Sequence, residues 1–405
     1  MKAFKFIAIA AATIVAAASC TKNFEEINTN PNKLNYGEIK ANNCFESIIY
    51  EMGKANQEYC GYWNNQLVQF VAFTAGQTRQ AHMYQMTPGN WQSVWNSKAR
   101  LAGDNNHMID LARRDGDTFL EAVGMILKSY CFYELTALYG DVPYSECFQF
   151  NNNLTPKFQS QEEVLLLLDE QLAAAADTLK SNPSPIKPGL DPVYGDSAAK
   201  WRKFANTLRL RVLLLAAGIN DAHWAKIQTI LDNPADYPVF ASNSDNATVA
   251  FQDVDPYKCY MNPTKVDNME SYRMTAQVCK MCVIKDANDN DVYQDPRLVI
   301  LYKQRGGKWY GVKAGCTVSE AQQEEANNPA CLNKAVLNRD AMSSFLMDYS
   351  ELLFIEAEGV LKGKLTLSAS AKDLYEAAVT ANIEKWAPYI RNNSKYRDIT
   401  AADIP

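Results

Sequence analysis

Cys279-Lys-Met-Cys282 is a spacing that could do redox or metal chemistry. Two such thiols can share a zinc ion or close a reversible disulfide, but a closed zinc site takes four ligands. No second CxxC completes the set, and the three histidines stand far apart, at His82, His107 and His223. The remaining cysteines after Cys20 are scattered without a tight framework, which argues against a disulfide scaffold. Cys131 falls on an apolar helical face and is expected in the core. The stretch DANDND at 286–291 places Asp286, Asn288 and Asn290 at positions one, three and five of a calcium loop. Asp291 then stands where an EF-hand needs glycine, and Arg297 where its bidentate glutamate belongs. An ordinary polar turn is expected, with an irregular calcium site as the alternative. No Walker loop, GxGxxG, HExxH or GxSxG is present, so no cofactor is expected. Paired carboxylates for glycoside hydrolysis stay open among 46 acidic residues, because no spacing in a sequence certifies them.

Composition narrows the field further. The 405 residues are 47% hydrophobic and 21% charged, as in ordinary soluble domains. The formal charge of −6 carries no basic footprint, which excludes a nucleic-acid partner. Aromatics reach 11%, with 21 tyrosines, enough to build stacking surfaces. At the N-terminus, Lys2 and Lys5 precede an apolar run from Phe6 to Ala18 and then Ser19-Cys20. The run is short for a transmembrane helix and reads as a secretory signal peptide. Ala17-Ala18-Ser19-Cys20 resembles a bacterial lipobox with Ala17 in the usual leucine position. Cys20 is the expected lipidation site, where several acyl chains would anchor the chain durably in a membrane. The alternative is an ordinary cleaved signal with an incidental cysteine.

The elements that must position any site are mostly helical. Apolar residues at 91, 95, 102, 109 and 112 predict an amphipathic helix from Trp91 to Arg113. The turn RDGD leads to a second helix that runs to Tyr139, and so short a turn requires antiparallel packing. Gly140 is expected to take a left-handed cap, and Pro143 to prevent the helix from resuming. Ser160 and Glu163 make a capping-box pattern ahead of a leucine stripe at 165, 168, 172 and 179. Its partner carries Trp201, Phe204, Leu208, Val212 and Leu215 inward, with Gly218 as expected C-cap. A third pair spans SFLMDYSELLFIEAEGVLKG and ASAKDLYEAAVTANIEKW, with small and large residues alternating as in tetratricopeptide pairs. An earlier helix is predicted from about Glu38 to Asn56. Residues 219–342 are rich in turns and aromatics and read as loops and small hairpins, with a β-like run at Leu298–Tyr302.

Several stretches together resemble the SusD/RagB group of surface lipoproteins from glycan-foraging Gram-negative bacteria. They are the lipobox at Cys20, NTNPN at 28–32, YELTALYGDVPYSE at 133–146, WRKFANTLRLR at 201–211, DPR at 295–297 and DYSELLFIEAEGVLKG at 348–363. The variant with YGDVPYSE and FANTLRLR is most similar to the second SusD-like subgroup. The resemblance implies a mainly α fold of tetratricopeptide-like helix pairs with irregular insertions. It implies a non-enzymatic role: binding oligosaccharides and delivering them to a SusC-like TonB-dependent transporter of the outer membrane, exposed at the cell surface on a lipid anchor. Peptide capture is the runner-up, ahead of a glycan-cleaving enzyme or a helical-repeat scaffold. The resemblance also implies a further C-terminal segment, so the chain ending at Ile404-Pro405 reads as truncated. The expected organisation is a signal peptide at 1–19, a tether at 20–37, and one helical domain at 38–405. The ligand-binding portion is expected around 219–342.

Family members grip sugars by stacking aromatic rings on pyranose faces, with Arg, Asn and Asp bonding hydroxyls. Trp91, Trp95 and Trp201 sit at helical spacing and are expected in the core. Tyr139 and Tyr144 are expected to lock the turn after their helix. The candidates for ligand contact lie instead in polar, non-periodic stretches: Trp63, Tyr84, Tyr257, Tyr260, Trp309 and Tyr310, with Arg79 as a polar partner near Tyr84. Trp309 is the preferred platform.

Overall fold

The computed structural model describes residues 36–74, 81–149, 152–266, 268–288 and 290–391. The chain divides into a unit of Met1–Lys40, where Tyr36–Glu38 form a 3-10 turn, and a unit of Ala41–Pro405. Cys20 and Arg79 lie outside the described residues.

The second unit is mainly α. Helix α1 is Ala41–Tyr59, α2 Pro88–Asp115, α3 Thr118–Tyr139, α4 Gln161–Lys180, α5 Ala198–Ile219 and α6 Trp224–Asp232. After the loop-rich region come α7 Ala276–Cys282, α8 Val318–Glu324, α9 Tyr349–Leu361 and α10 Ala371–Arg391. The three expected pairs form: α2 packs on α3, α4 on α5, and α9 on α10, while α3 also packs on α4 and α1 on α2. Local chemistry starts most of these helices. The side chains of Thr87, Asp117, Ser160, Ser197 and Asp348 accept from backbone N–H groups in the first turns of α2, α3, α4, α5 and α9. Each cap satisfies donors that would otherwise be orphaned, worth about 1 kcal/mol apiece. Phe119, Leu120, Ile126 and Leu127 of α3 and Leu165, Leu168 and Leu172 of α4 are at most 1% exposed. Burying each such side chain contributes roughly 1.5–3 kcal/mol.

The motifs behind the family resemblance turn out to be joints between helices. Arg211 of α5 donates from Nε to Glu351 Oε1 of α9 at 2.5 Å, pairs again through Nη2, and gives Leu346 O a bond of 3.0 Å. Arg209 of α5 donates to Asp169 of α4 at 2.7 Å. Arg297 of the DPR stretch grips Asp295 with two nitrogens and reaches Asn382 of α10 at 2.7 Å. In YGDVPYSE, Asp141 accepts from the Gln161 N–H at 3.0 Å, and the Tyr144 hydroxyl donates to Gln171 at 2.7 Å. Tyr144 is buried against Phe132, while the Tyr139 hydroxyl donates to Trp91 O at 2.6 Å.

Several local expectations are corrected. Gly140 has φ 75° but ψ −120°, outside the left-handed helical well though still in a region that favours glycine. Gly218 does not cap α5; the helix runs one residue further, and Asn220 bonds the N–H of Ala222 to start the next turn. Trp91 and Trp95 are only half-buried, edge-on to Tyr139, because the apolar stripe of α2 that reaches the core is Val94, Leu101 and Met108. Trp201 is fully buried as expected. The run from Leu298 is one helical turn to Leu301, and only Tyr302–Lys303 is extended.

Strands are short. With β1 Val71–Phe73, β2 Ala247–Val249, β3 Tyr272–Met274, β4 Val283–Lys285, β5 Asp291–Gln294, β6 Tyr302–Lys303, β7 Cys331–Leu332 and β8 Ser344–Met347, they form three small antiparallel sheets. The largest has the order β1-β3-β7-β6, and β2 pairs β8 while β4 pairs β5 in a hairpin. This order joins the aromatic segment around residues 60–85 to the loop-rich region 250–332.

Candidate ligand-binding surface

The first link is backbone pairing between distant segments. Val71 registers with Met274 and Phe73 with Tyr272, and the Thr275 hydroxyl donates to Gln69 O at 2.6 Å. The Tyr302 hydroxyl reaches Phe70 O at 3.0 Å. Residues 309–312 then lie beside β3, with Ala276 N donating to Val312 O at 2.7 Å. A Cβ at Gly311 would stand 2.3 Å from Thr275 O, so only glycine permits this approach.

The second link is α1. Its last residues pass into a π-helical turn, Cys60–Asn64, which carries Tyr62 and Trp63. Such single turns recur at functional sites, because the wider pitch re-aims side chains. The end of α1 holds the loop 251–262 by polar contacts. Gln57 Oε1 accepts from the Tyr260 N–H at 2.9 Å, and Gln57 Nε2 donates to Met342 O at 2.6 Å. Lys54 donates to Pro256 O at 3.3 Å, across the cis peptide Asp255-Pro256.

Aromatic rings fill the seam. Tyr50 lies 5.1 Å from Tyr257 and 5.5 Å from Phe251, centroid to centroid, and Tyr62 meets Tyr260 edge to face at 5.9 Å. The Tyr260 hydroxyl donates to Glu58 at 3.2 Å. Burial, the hydrogen bond with Tyr62 and the nearby Glu58 all push the Tyr260 phenol well above its ordinary range, so it stays a neutral donor. Burial likewise pushes Tyr59 up to about 12. Over the buried Tyr50 and Phe251, the half-buried phenol rings of Tyr62, Tyr257 and Tyr260 have Glu58 and Gln252 as exposed neighbours. Such rings can stack against an apolar ring face and exchange hydrogen bonds with hydroxyls around it.

Of the candidates read from sequence, Tyr257 and Tyr260 therefore share this seam, and Trp63 sits half-buried on the turn that borders it. Tyr84 is 67% exposed and takes φ 57° after a 3-10 turn. Tyr310 is held elsewhere, its hydroxyl donating to Glu324 of α8 at 2.8 Å. Trp309 corrects the expectation of an exposed platform. It is 4% exposed, and its indole N–H donates to Gln294 of β5 at 3.0 Å, so it packs the β4–β5 hairpin against the body. Tyr50, Tyr62 and Phe251 were missed. Tyr50 falls within an ordinary helical pattern, Tyr62 depends on a π turn that leaves no sequence signal, and Phe251 meets its partner only after 200 intervening residues.

The CxxC pair lies on α7 just before β4, and the DANDND stretch follows β4. Asp286 Oδ1 accepts from the N–H groups of Asn288 at 2.8 Å and Asn290 at 2.9 Å, which closes the hairpin turn. Among the described residues no group of three or more His, Cys, Asp or Glu side chains is arranged to hold a metal ion. Cys279 and Cys282 are free thiols, and burial raises both, Cys282 to about 11, so neither is poised as a thiolate. Cys131 is buried in the core as expected. Among the described residues no helix is long and apolar enough to cross a membrane.

Comparison with known proteins places this architecture. A SusD homolog from Bacteroides fragilis superposes with a TM-score of 0.72 at 21% identity, covering 90% of this chain and 77% of its own. A chitin-binding protein gives 0.73 at 20% identity, covering 90% and 78%. A chitin-binding SusD homolog from Flavobacterium johnsoniae gives 0.68 at 21% identity, covering 87% and 73%. At these identities the likeness establishes the fold. No curated protein matches the chain significantly. The model of the SusD-like_2 family, described as starch-binding and associating with the outer membrane, matches residues 31–402. With nearly the whole chain matched and the helical frame shared, this protein belongs to the SusD-like_2 family.

Proposed function

We propose that this protein is a surface lipoprotein of the outer membrane that captures oligosaccharides without cleaving them and passes them to a partner TonB-dependent transporter. The observation that carries the reading is the aromatic seam. Tyr62 and Tyr260 meet edge to face beside Trp63, at the junction of α1 and the loop 251–262. The Tyr260 ring, held by its hydroxyl's bond to Glu58, loses little entropy on binding, which suits stacking against a pyranose. Membership of a family described as starch-binding supports the glycan class, and two of the similar structures are named as chitin-binding. Lipidation at Cys20 would hold the domain at the membrane through the tether that follows.

Affinity gels and calorimetry with a polysaccharide panel test this. At least one glycan should bind, and Tyr260→Ala or Trp63→Ala should each weaken it about five- to tenfold, the loss of about 1 kcal/mol of ring contact. Peptides binding where no glycan does would replace the ligand class, and turnover of an oligosaccharide by the purified protein would overturn the non-enzymatic reading. A Cys20→Ala chain that still fractionates with membranes would remove the lipid anchor.

A further inference from the structure

One short helical turn beyond Trp63, the chain borders an open depression of about 460 Å³. Its lining combines Gln69, Gln277, Lys280, Met281 and Lys313 with two alanines. Gln277, Lys280 and Met281 are three and four residues apart on α7, which places them on one face of that helix. Met281 is 70% exposed, a large apolar side chain left in water at the edge of the cavity. None of the seven lining residues is acidic, although the chain as a whole carries −6. Most lysines and arginines of the described surface are matched by carboxylates, as in Lys303 with Glu270 and Lys285 with Asp291. Neither Lys280 nor Lys313 has a carboxylate within ion-pair distance among the described residues. Glu320, on α8, has its Oε2 occupied by the N–H and hydroxyl of Thr317 in the cap of that helix.

Resting on the glycan reading above, we propose that this depression receives a negatively charged substituent of the bound saccharide, a carboxylate or a sulfate ester. Two ammonium groups and two amides supply donors, and Met281 supplies an apolar wall for the ring that carries the substituent. A net-negative protein repels an acidic polymer at long range, but beyond roughly 8 Å that repulsion is screened at physiological salt. The local cations then decide the contact.

The full chain is titrated with polygalacturonate and alginate as carboxylate probes, dextran sulfate and chondroitin sulfate as sulfate probes, and dextran, xylan and pullulan as neutral ones. The expected result is binding of at least one anionic probe, weakened about tenfold in Lys280→Gln/Lys313→Gln at low salt and less so at high salt. The set that binds tells carboxylate from sulfate. Both lysines are exposed, so an unchanged unfolding midpoint is the control for the double variant. Anionic binding that ignores the double substitution overturns the inference. Binding of neutral glycans alone, weakened by Tyr260→Ala but untouched in the lysine variant, overturns it while leaving the glycan reading intact. Binding to no saccharide at all overturns both.

Discussion

Glu356 offers a direct test of how the helical frame sets its own pH dependence. It lies on α9 between Leu352 and Val360, half-buried, and burial alone raises its carboxyl from 4.5 to about 7. Between those two values the native state holds a proton that the unfolded chain has released. Stability contributed by this protonated carboxyl is therefore full below about pH 4.5 and is lost as pH rises through 7. A shift of that size corresponds to about 3 kcal/mol, as an order of magnitude. Glu356→Gln keeps the shape and stays neutral, so it should leave stability at pH 4.5 unchanged and raise it progressively toward pH 8. For a helical unit of this size the gain at pH 8 is about 4 °C in unfolding midpoint. The assay is thermal unfolding of parent and variant from pH 4.5 to 8, read as their difference so that other titrations cancel. Parallel curves across that range would refute the argument, since they would mean that Glu356 ionises in the folded protein at its ordinary value.

Two further outcomes concern the frame. Glu351→Ala should destabilise by about 2–4 kcal/mol, because it strands the Arg211 guanidinium, 13% exposed, among the Tyr130 and Tyr133 rings. Adding Arg211→Met should recover part of that loss in urea titrations; strictly additive losses would deny the coupling. Trp309→Ala should lower stability by about 3–5 kcal/mol through the cavity it leaves. Its glycan affinity, measured by calorimetry well below the unfolding midpoint, should stay within about twofold of the parent; a larger loss would return Trp309 to the ligand surface.

Much of the frame was legible because its causes are local. The cap at Ser160 and the apolar stripes of α3, α4 and α5 act within a few residues, so helix pairs follow from short windows of sequence. The motif stretches were recognisable but their purpose was not: Arg211 meets Glu351 across 140 residues, and Asp141 caps backbone of the next helix. Trp309 and Tyr260 show the limit. Both are aromatic residues in polar, turn-rich surroundings, and nothing adjacent to either distinguishes them. One is buried because Gln294 and the β4–β5 hairpin fold over it; the other borders solvent because Gln57 and Glu58 hold its loop at the end of α1.

The sequence by itself determined the mainly helical class, the pairing of neighbouring helices and the family, since period, caps and ordered motifs survive without any knowledge of contacts. Only the tertiary structure decided which aromatics gather into a surface. That surface is assembled by backbone pairing of β1 with β3 and by contacts from α1 to a loop some 200 residues later. Burial is a property of what packs on top of a ring, and a chain cannot state it until distant segments have met.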